Sequence, residues 1–216
     1  MIERATGLIL RTRPLTETSL IVHWLTSDLG RLATVAKGAR RPKSPFRGKL
    51  DLFYFADLSF ARSRRSDLHL LCEVGLRETH RALRRELAYL RQAAYCAALL
   101  EQTTETETPL PDHFQLMTDF LEHLPKQQTE PQNIFAFEIK LLNLSGLKPD
   151  LSQSHLSPGA KSVLEKYLEL DWPTISRLSL TAAQTLELRQ FLHGFLSYHL
   201  EKLPSGRSAA LHSNEQ

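Results

Sequence analysis

The chain has 216 residues, of which 42% are hydrophobic and 24% are charged, and its formal net charge is +3. This length and composition suit a globular protein with one large core or two smaller ones, and they exclude global disorder. No run approaches the roughly 18 apolar residues that a membrane helix needs, and the N-terminus lacks the pattern of a secretory signal. We therefore expect a cytoplasmic protein that makes no membrane contact.

The positive charge is concentrated in the first part of the chain. Residues 1–85 contain 17 Lys and Arg against 8 Asp and Glu, a net charge of +9. Residues 86–216 contain 10 Lys and Arg against 16 Asp and Glu, a net charge of −6. The simplest electrostatic interpretation is a basic part that meets nucleic acid and an acidic part that does not.

Short apolar runs separated by turn signals predict β-strands in the first part of the chain. The runs are residues 8–10, 20–25, 32–36, 52–60 and 68–74. Residues 62–67 join the last two runs as a hairpin connection would. Five strands in this length predict a small closed or nearly closed barrel, and the residues alone do not separate an SH3-like barrel from an OB-fold.

A strongly basic segment, the basic loop of residues 37–49, lies between the third and fourth of these runs. It contains six cations and no acid: Lys37, Arg40, Arg41, Lys43, Arg47 and Lys49. Two glycines and two prolines favour turning or extended backbone, so helical i,i+4 partners cannot neutralise these charges. The loop is predicted to contact a phosphate backbone, and a solvated loop without a ligand is the alternative.

Aromatic residues and a second basic cluster add candidate DNA contacts. Single strands bind OB-type surfaces by stacking bases on aromatic rings, and Phe46 within the basic loop is the first candidate. The strand residues Trp24, Tyr54 and Phe60 are further candidates, and burial in the core is the alternative for all four rings. At the predicted hairpin tip, a phosphate contact and a solvated turn are equally favoured for three arginines: Arg62, Arg64 and Arg65.

Beyond His80 the apolar spacing changes to about 3.6 residues, which predicts helices. The expected organisation is a barrel domain at residues 1–80, a helical domain at residues 81–204 and a disordered polar tail at residues 205–216. The first helix is predicted to bury one stripe: Leu83, Leu87, Leu90, Ala94 and Ala97. Later helices are predicted to begin at Pro111, Pro131 and Pro158 and after the cap Thr181.

Residue patterns typical of catalysis and of metal binding are missing from the sequence. Cys72 and Cys96 are the only cysteines and do not form a Cys-x-x-Cys pair, so neither a disulfide framework nor a thiolate zinc site is expected. The sequence has no Walker motif and no His, Asp or Glu grouping with metal-site spacing. We expect no enzymatic activity, no metal and no cofactor.

Several segments resemble the RecO family of bacterial recombination mediators. They are Thr-Gly-Leu-Ile-Leu at 6–10, Glu-Thr-Ser at 17–19, Thr-Ser-Asp-Leu-Gly-Arg-Leu at 26–32 and, most specifically, Ala-Lys-Gly-Ala-Arg-Arg-Pro-Lys-Ser at 36–44. Gly-Leu-Lys-Pro-Asp-Leu at 146–151 and Leu-Ser-Pro-Gly-Ala at 156–160 resemble two segments of the family's C-terminal half. The resemblance implies an α+β chain, with an OB-fold joined to an α-helical domain.

The same resemblance implies a function in DNA repair and homologous recombination through the RecF pathway. The family binds single- and double-stranded DNA without sequence specificity and anneals complementary strands. With its partner RecR it helps to load recombinase onto DNA coated with single-strand-binding protein (SSB), which implies association with the nucleoid. Many members carry a four-cysteine zinc module, but only residues 152–155 separate the two C-terminal segments here.

The family also binds the acidic C-terminal tail of SSB through an apolar pocket edged by basic residues. Four arginines on the first predicted helix are candidates for this contact: Arg81, Arg84, Arg85 and Arg91. Their alternative is a solvated face paired with Glu78 and Glu86. A different class of function also stays open, a non-catalytic adaptor whose basic loop recognises an acidic protein.

Overall fold

The structure is a computed structural model that describes residues 1–212, and the chain forms two compact units. The barrel unit is Met1–Arg81 together with Glu105–Gln115. The helical unit is Ala82–Thr104 together with the chain from Leu116 onward. Residues 105–115, which we call the return segment, thus belong to the barrel unit although they follow the first long helix.

Five strands form the closed barrel, in the order β1-β2-β3-β5-β4. They are β1 (Ile2–Pro14), β2 (Leu20–Thr26), β3 (Gly30–Ala36), β4 (Phe55–Ala61) and β5 (Leu68–Glu78). The long strand β1 closes the barrel because it pairs with both β2 and β4, while β3 and β5 run parallel. This strand order is that of an OB-fold, and the predicted fold class is confirmed.

The barrel core is filled by apolar side chains that alternate along the strands. Val22 and Trp24 of β2, Leu32 of β3 and Phe60 of β4 are all buried in one cluster. The indole Nε1 of Trp24 donates to the hydroxyl of Thr34 at 2.9 Å. The one polar atom of the largest core side chain is therefore satisfied, and the barrel presents a rigid frame for its loops.

The return segment is held on the barrel by backbone hydrogen bonds at the β2–β3 turn. The amide of Glu107 donates to the carbonyl of Arg31 at 2.8 Å, and the amide of Leu110 donates to the carbonyl of Ser27 at 3.1 Å. Gly30 at this turn has φ +66°, and a Cβ placed on it would lie 1.7 Å from the carbonyl oxygen of Thr108. Only glycine permits this close approach.

Replacement of Gly30 by alanine is therefore expected to lower the free energy of unfolding by several kcal/mol, about 3 or more, because both positive φ and the backbone clash oppose it. Gly48 provides a matched control, since its φ is +72° but a Cβ there meets nothing within 4 Å. Gly48→Ala should cost only about 1–2 kcal/mol. Urea unfolding followed by circular dichroism measures both changes, and equal losses would contradict the proposed packing of the return segment.

Seven α-helices lie within the described residues. They are α1 (Leu87–Thr103), α2 (Pro111–His123), α3 (Pro131–Leu144), α4 (Pro158–Glu169), α5 (Trp172–Ile175), α6 (Ala182–His199) and α7 (Arg207–Leu211). Three short 3-10 helices accompany them: Arg81–Arg85, Leu124–Lys126 and Leu151–Gln153. The predicted starts at Pro111, Pro131 and Pro158 are confirmed, and Thr181 forms a capping box with Gln184 ahead of α6. None of the helices within residues 1–212 combines the length and the apolar character that a bilayer crossing requires.

The predicted buried stripe of the first helix is only partly confirmed: Leu83 and Ala97 are buried and Leu90 is half-buried, but the other two positions are exposed. The segment with Leu83 is a separate 3-10 helix, so the stripe loses its register before α1 begins. Leu87 is 61% exposed and Ala94 is also exposed. Helix α1 instead buries a face that includes Tyr89, Cys96 and polar Gln92, whose amide donates to two backbone carbonyls.

A buried charge cluster ties the end of the chain to the helical unit. Arg207 of α7 donates to both carboxylate oxygens of Glu138 on α3, at 2.7 and 2.9 Å, and the hydroxyl of Tyr95 donates to Glu138 at 2.6 Å. Glu138 is fully buried, and Arg207 is 7% exposed. The predicted disordered tail from Ser205 is therefore wrong for residues 205–212, since this ion pair and two apolar residues hold α7 in place. Residues 213–216 of that tail lie outside the described residues.

Candidate nucleic-acid interface

The basic loop leaves the barrel at the end of β3 and is built from consecutive turns. Backbone amides donate to carbonyls three residues earlier, from Arg41 to Gly38 at 3.0 Å, from Ser44 to Arg41 at 3.1 Å and from Arg47 to Ser44 at 3.2 Å. The amide of Arg40 also donates to the carbonyl of Thr18 at 3.0 Å, which joins the loop to the β1–β2 connection. The loop is therefore an ordered series of turns.

Phe46 anchors this loop to the barrel. Its side chain is only 6% exposed and packs within the core cluster, and the amide of Lys49 donates to its carbonyl at 3.0 Å. The interpretation of Phe46 as an exposed stacking residue is therefore wrong. The neighbouring Pro45 and Arg47 suggested exposure, but burial of the aromatic ring outweighs the polarity of its neighbours.

The cations of the basic loop point to solvent. Lys37, Arg40, Arg41, Lys43 and Arg47 are exposed and Lys49 is half-buried. Within residues 1–212 none of the six takes part in an ion pair. Two of the guanidinium groups donate to carbonyls, Arg40 to Thr16 at 3.4 Å and Arg47 to Pro42 at 3.2 Å. The loop thus holds uncompensated positive charge on a rigid support, the arrangement that attracts a polyanion.

The second basic cluster, at the β4–β5 hairpin, divides into two kinds of residue. Arg62 forms a bidentate pair with Glu3, at 2.7 and 2.9 Å, and a further ion pair with Glu107 of the return segment at 2.7 Å. The Arg62 guanidinium lowers the pKa of the Glu3 carboxyl. The expected phosphate contact of Arg62 is therefore corrected, because its charge is already compensated. Arg64 and Arg65 are exposed at the hairpin tip, and their contact with DNA stays a prediction.

Two of the three aromatic candidates other than Phe46 are core residues. Trp24 and Phe60 are fully buried, so their rings cannot stack on bases without opening of the barrel. Tyr54 packs against the same cluster but is only partly buried, and its contact with a base stays a prediction.

Three arginines that the sequence analysis did not single out surround His23 on the barrel. Arg11 lies directly opposite His23 in the β1–β2 pair, and cross-strand neighbours share a face. Burial, with the added charges of Arg11, Arg13 and Arg31, lowers the pKa of His23 to about 4. His23 therefore stays neutral at physiological pH in a region of positive potential. The alternation of arginines along β1 is the sequence signal that could have identified this basic face of the barrel.

The four arginines predicted to contact a partner lie on the Arg81–Arg85 turn and on α1. Arg81, Arg85 and Arg91 are exposed and Arg84 is half-buried. An apolar cavity of about 420 Å³ lies elsewhere in the helical unit. Its lining includes basic groups beside apolar ones: Arg189, His193, Leu203, Pro204, Arg207 and Leu211. The Nε atom of Arg189 is buried without a hydrogen-bond partner within the described residues.

No group of three His, Cys, Asp or Glu residues within the described part of the chain could hold a metal ion. Residues 151–153, between the two family-like C-terminal segments, form a single 3-10 turn. Its start is capped by Asp150, whose carboxylate accepts from the amide of Ser152 at 2.9 Å. The connection between these two segments is therefore a short capped turn.

Comparison with known proteins gives one consistent result. The family model described as "Recombination protein O N terminal" matches residues 1–80, and "Recombination protein O C terminal" matches residues 84–157. Curated relatives described as "DNA repair protein RecO" include those of Rhodopirellula baltica, 34% identical over 143 residues, and Bacillus pumilus, 31% identical over 153 residues. These alignments cover 66% and 71% of this chain but 53% and 59% of the relatives. The matched part of the chain thus spans little more than half the length of these relatives.

Proposed function

Because the chain belongs to the RecO family of DNA repair proteins, we propose that it binds single- and double-stranded DNA through the phosphate backbone and anneals complementary strands. The observation that carries the proposal is the basic loop, with its exposed cations on an OB-fold. Phosphate contacts alone carry no sequence information, so binding is independent of sequence. The proposed setting is recombinational repair through the RecF pathway.

Annealing by this route needs no catalytic residue. Two single strands repel each other electrostatically, and cations bound along both backbones reduce that repulsion while releasing counterions. Strands held on one protein also meet at a higher effective concentration. Base pairing then supplies the driving force, so the protein's contribution is positive charge held at a fixed position.

The proposed partners are RecR, which acts with this protein in loading recombinase, and SSB. Family membership supports both. For the acidic tail of SSB, the apolar cavity of the helical unit is a stronger candidate than Arg81, Arg84, Arg85 and Arg91. It combines apolar walls with basic side chains, among them those of Arg189 and His193, and basic groups beside apolar surface suit an acidic segment that also carries apolar residues.

The experiment is an annealing assay with complementary oligonucleotides, either naked or coated with SSB. The protein is expected to accelerate annealing of both by more than about tenfold. The triple variant Arg40→Glu, Arg41→Glu, Lys43→Glu should lose acceleration on both substrates. Leu203→Asp, which places an acidic group in the apolar cavity, should lose the acceleration of annealing on SSB-coated strands alone.

A matched control reverses three exposed cations of the helical unit, Lys148, Lys166 and Arg177, and changes the net charge equally. This control should anneal naked strands like the unchanged protein. Failure of the unchanged protein to accelerate annealing of naked strands would overturn the proposed function. If Leu203→Asp still accelerates annealing of SSB-coated strands, only the assignment of the SSB tail to the cavity is overturned.

A further inference from the structure

A hollow of about 360 Å³ lies within the basic loop itself. Four apolar residues, Leu20, Ala39, Phe46 and Leu50, form its base and pack on the barrel core. Its rim carries three exposed arginines: Arg40, Arg41 and Arg47. Guanidinium planes therefore edge one concave site, whose exposed lining is more polar than apolar.

The hollow is formed before any ligand binds. The guanidinium of Arg47 donates to the carbonyl of Pro42 at 3.2 Å, which bridges two parts of the loop beside the cavity. The successive turns from Gly38 to Lys49 and the burial of Phe46 fix the backbone around it. A preformed site loses little conformational entropy on binding, so weak individual contacts add effectively.

The ligand that matches this surface is planar, apolar on its faces, polar at its edges and attached to an anion. An unpaired nucleotide of a single strand has these properties. Arginine guanidinium planes stack on bases in single-stranded recognition, and the same groups bind the adjoining phosphates. A cavity of 360 Å³ lies within the range of small-ligand sites. The bases of a duplex are paired and stacked, so they cannot enter it.

We infer that the hollow of the basic loop accepts one unpaired nucleobase and so makes the loop prefer single strands to duplexes. This inference rests on the proposed binding of DNA by the same loop. It supplies the base contact that the buried aromatics Phe46, Trp24 and Phe60 cannot make. The rim offers arginine donors to any base edge, so the site distinguishes paired from unpaired DNA without reading sequence.

The test compares two labelled strands of equal length in fluorescence anisotropy, one with bases and one made of abasic sugar-phosphate units. The unchanged protein is expected to bind the base-bearing strand about tenfold more tightly at the same salt concentration. Ala39→Leu places a larger apolar side chain in the hollow and keeps every charge. The ratio of its affinities for the two strands should fall to about one.

Arg47→Lys is a second variant that keeps the charge but removes the planar group, and it should also reduce the ratio. Arg177→Lys, at an exposed arginine of the helical unit, is the matched control and should keep the affinity ratio of the unchanged protein. Equal binding of both strands by the unchanged protein, or an unaltered ratio in both loop variants, would overturn the inference. Absence of binding to either strand would instead overturn the proposed function.

Discussion

Replacement of Arg207 by methionine is expected to lower the free energy of unfolding by about 3–5 kcal/mol. The methionine removes both guanidinium donors to Glu138 and leaves a fully buried carboxylate with the Tyr95 hydroxyl as its remaining described donor. A buried charge without its counterion is costly because the protein interior solvates it poorly. Urea unfolding at neutral pH, followed by circular dichroism, measures the loss.

Arg177→Met is the control for this prediction, since Arg177 is exposed in the same unit and its replacement should cost less than about 1 kcal/mol. In the double variant with Glu138→Gln, the buried charge is gone, and part of the lost stability should return. If Arg207→Met lowers the free energy of unfolding no more than Arg177→Met does, the ion pair of Arg207 and Glu138 does not anchor α7.

Charge reversal at Arg40, Arg41 and Lys43 is expected to weaken binding of single-stranded DNA by about 100-fold or more at moderate salt. Each reversal removes one phosphate contact and adds a repulsive charge, and charge-assisted hydrogen bonds are the stronger kind. The effect should be similar for unrelated sequences, because the lost contacts are to the backbone. Gel shifts or anisotropy with several oligonucleotides measure it.

Stability should be little affected by the same reversal, because these three side chains are exposed and outside any described ion pair. The variant with Lys148, Lys166 and Arg177 reversed has the same net charge and should bind DNA within about threefold of the unchanged protein. Equal weakening in both variants would mean that net charge, rather than the loop, controls affinity.

Features governed by neighbouring residues were predictable from the sequence. The Ser157 hydroxyl accepts from the amide of Ala160 at 3.3 Å, as an N-cap before Pro158 should. Alternating burial along β3 follows its sequence, and the hairpin between β4 and β5 follows from the turn residues at 62–67. The basic loop was also evident, because six cations without an acid need no tertiary information to be noticed.

Features governed by distant contacts were not predictable in the same way. Arg62 meets Glu3 and Glu107, which are 59 and 45 residues away in the chain, so its hairpin position suggested free charge. Arg207 meets Glu138 at a separation of 69 residues, and the polar composition after Ser205 suggested disorder. In both cases a pairing that only the fold creates outweighs the local pattern.

The basic loop contains both a feature that its own sequence predicts and a feature that depends on distant contacts. Its charges are exposed as the composition indicates, but Phe46 turns inward because the barrel offers it an apolar site. The sequence therefore identifies the exposed cations of the loop and misassigns the environment of its aromatic ring. The hollow beside Phe46 depends also on Leu20 of β2, which lies outside the loop in the chain, so no local motif could reveal it.

The salt dependence of single-strand affinity tests the central claim, that cations of the basic loop bind DNA phosphates. The logarithm of the association constant is measured against the logarithm of salt concentration for the unchanged protein and for the Arg40, Arg41 and Lys43 reversal. Each lost contact should reduce the steepness of the line by about 0.7, so the variant's slope should be shallower by roughly 2. Parallel lines would contradict the claim, because the loop would then release no counterions when DNA binds.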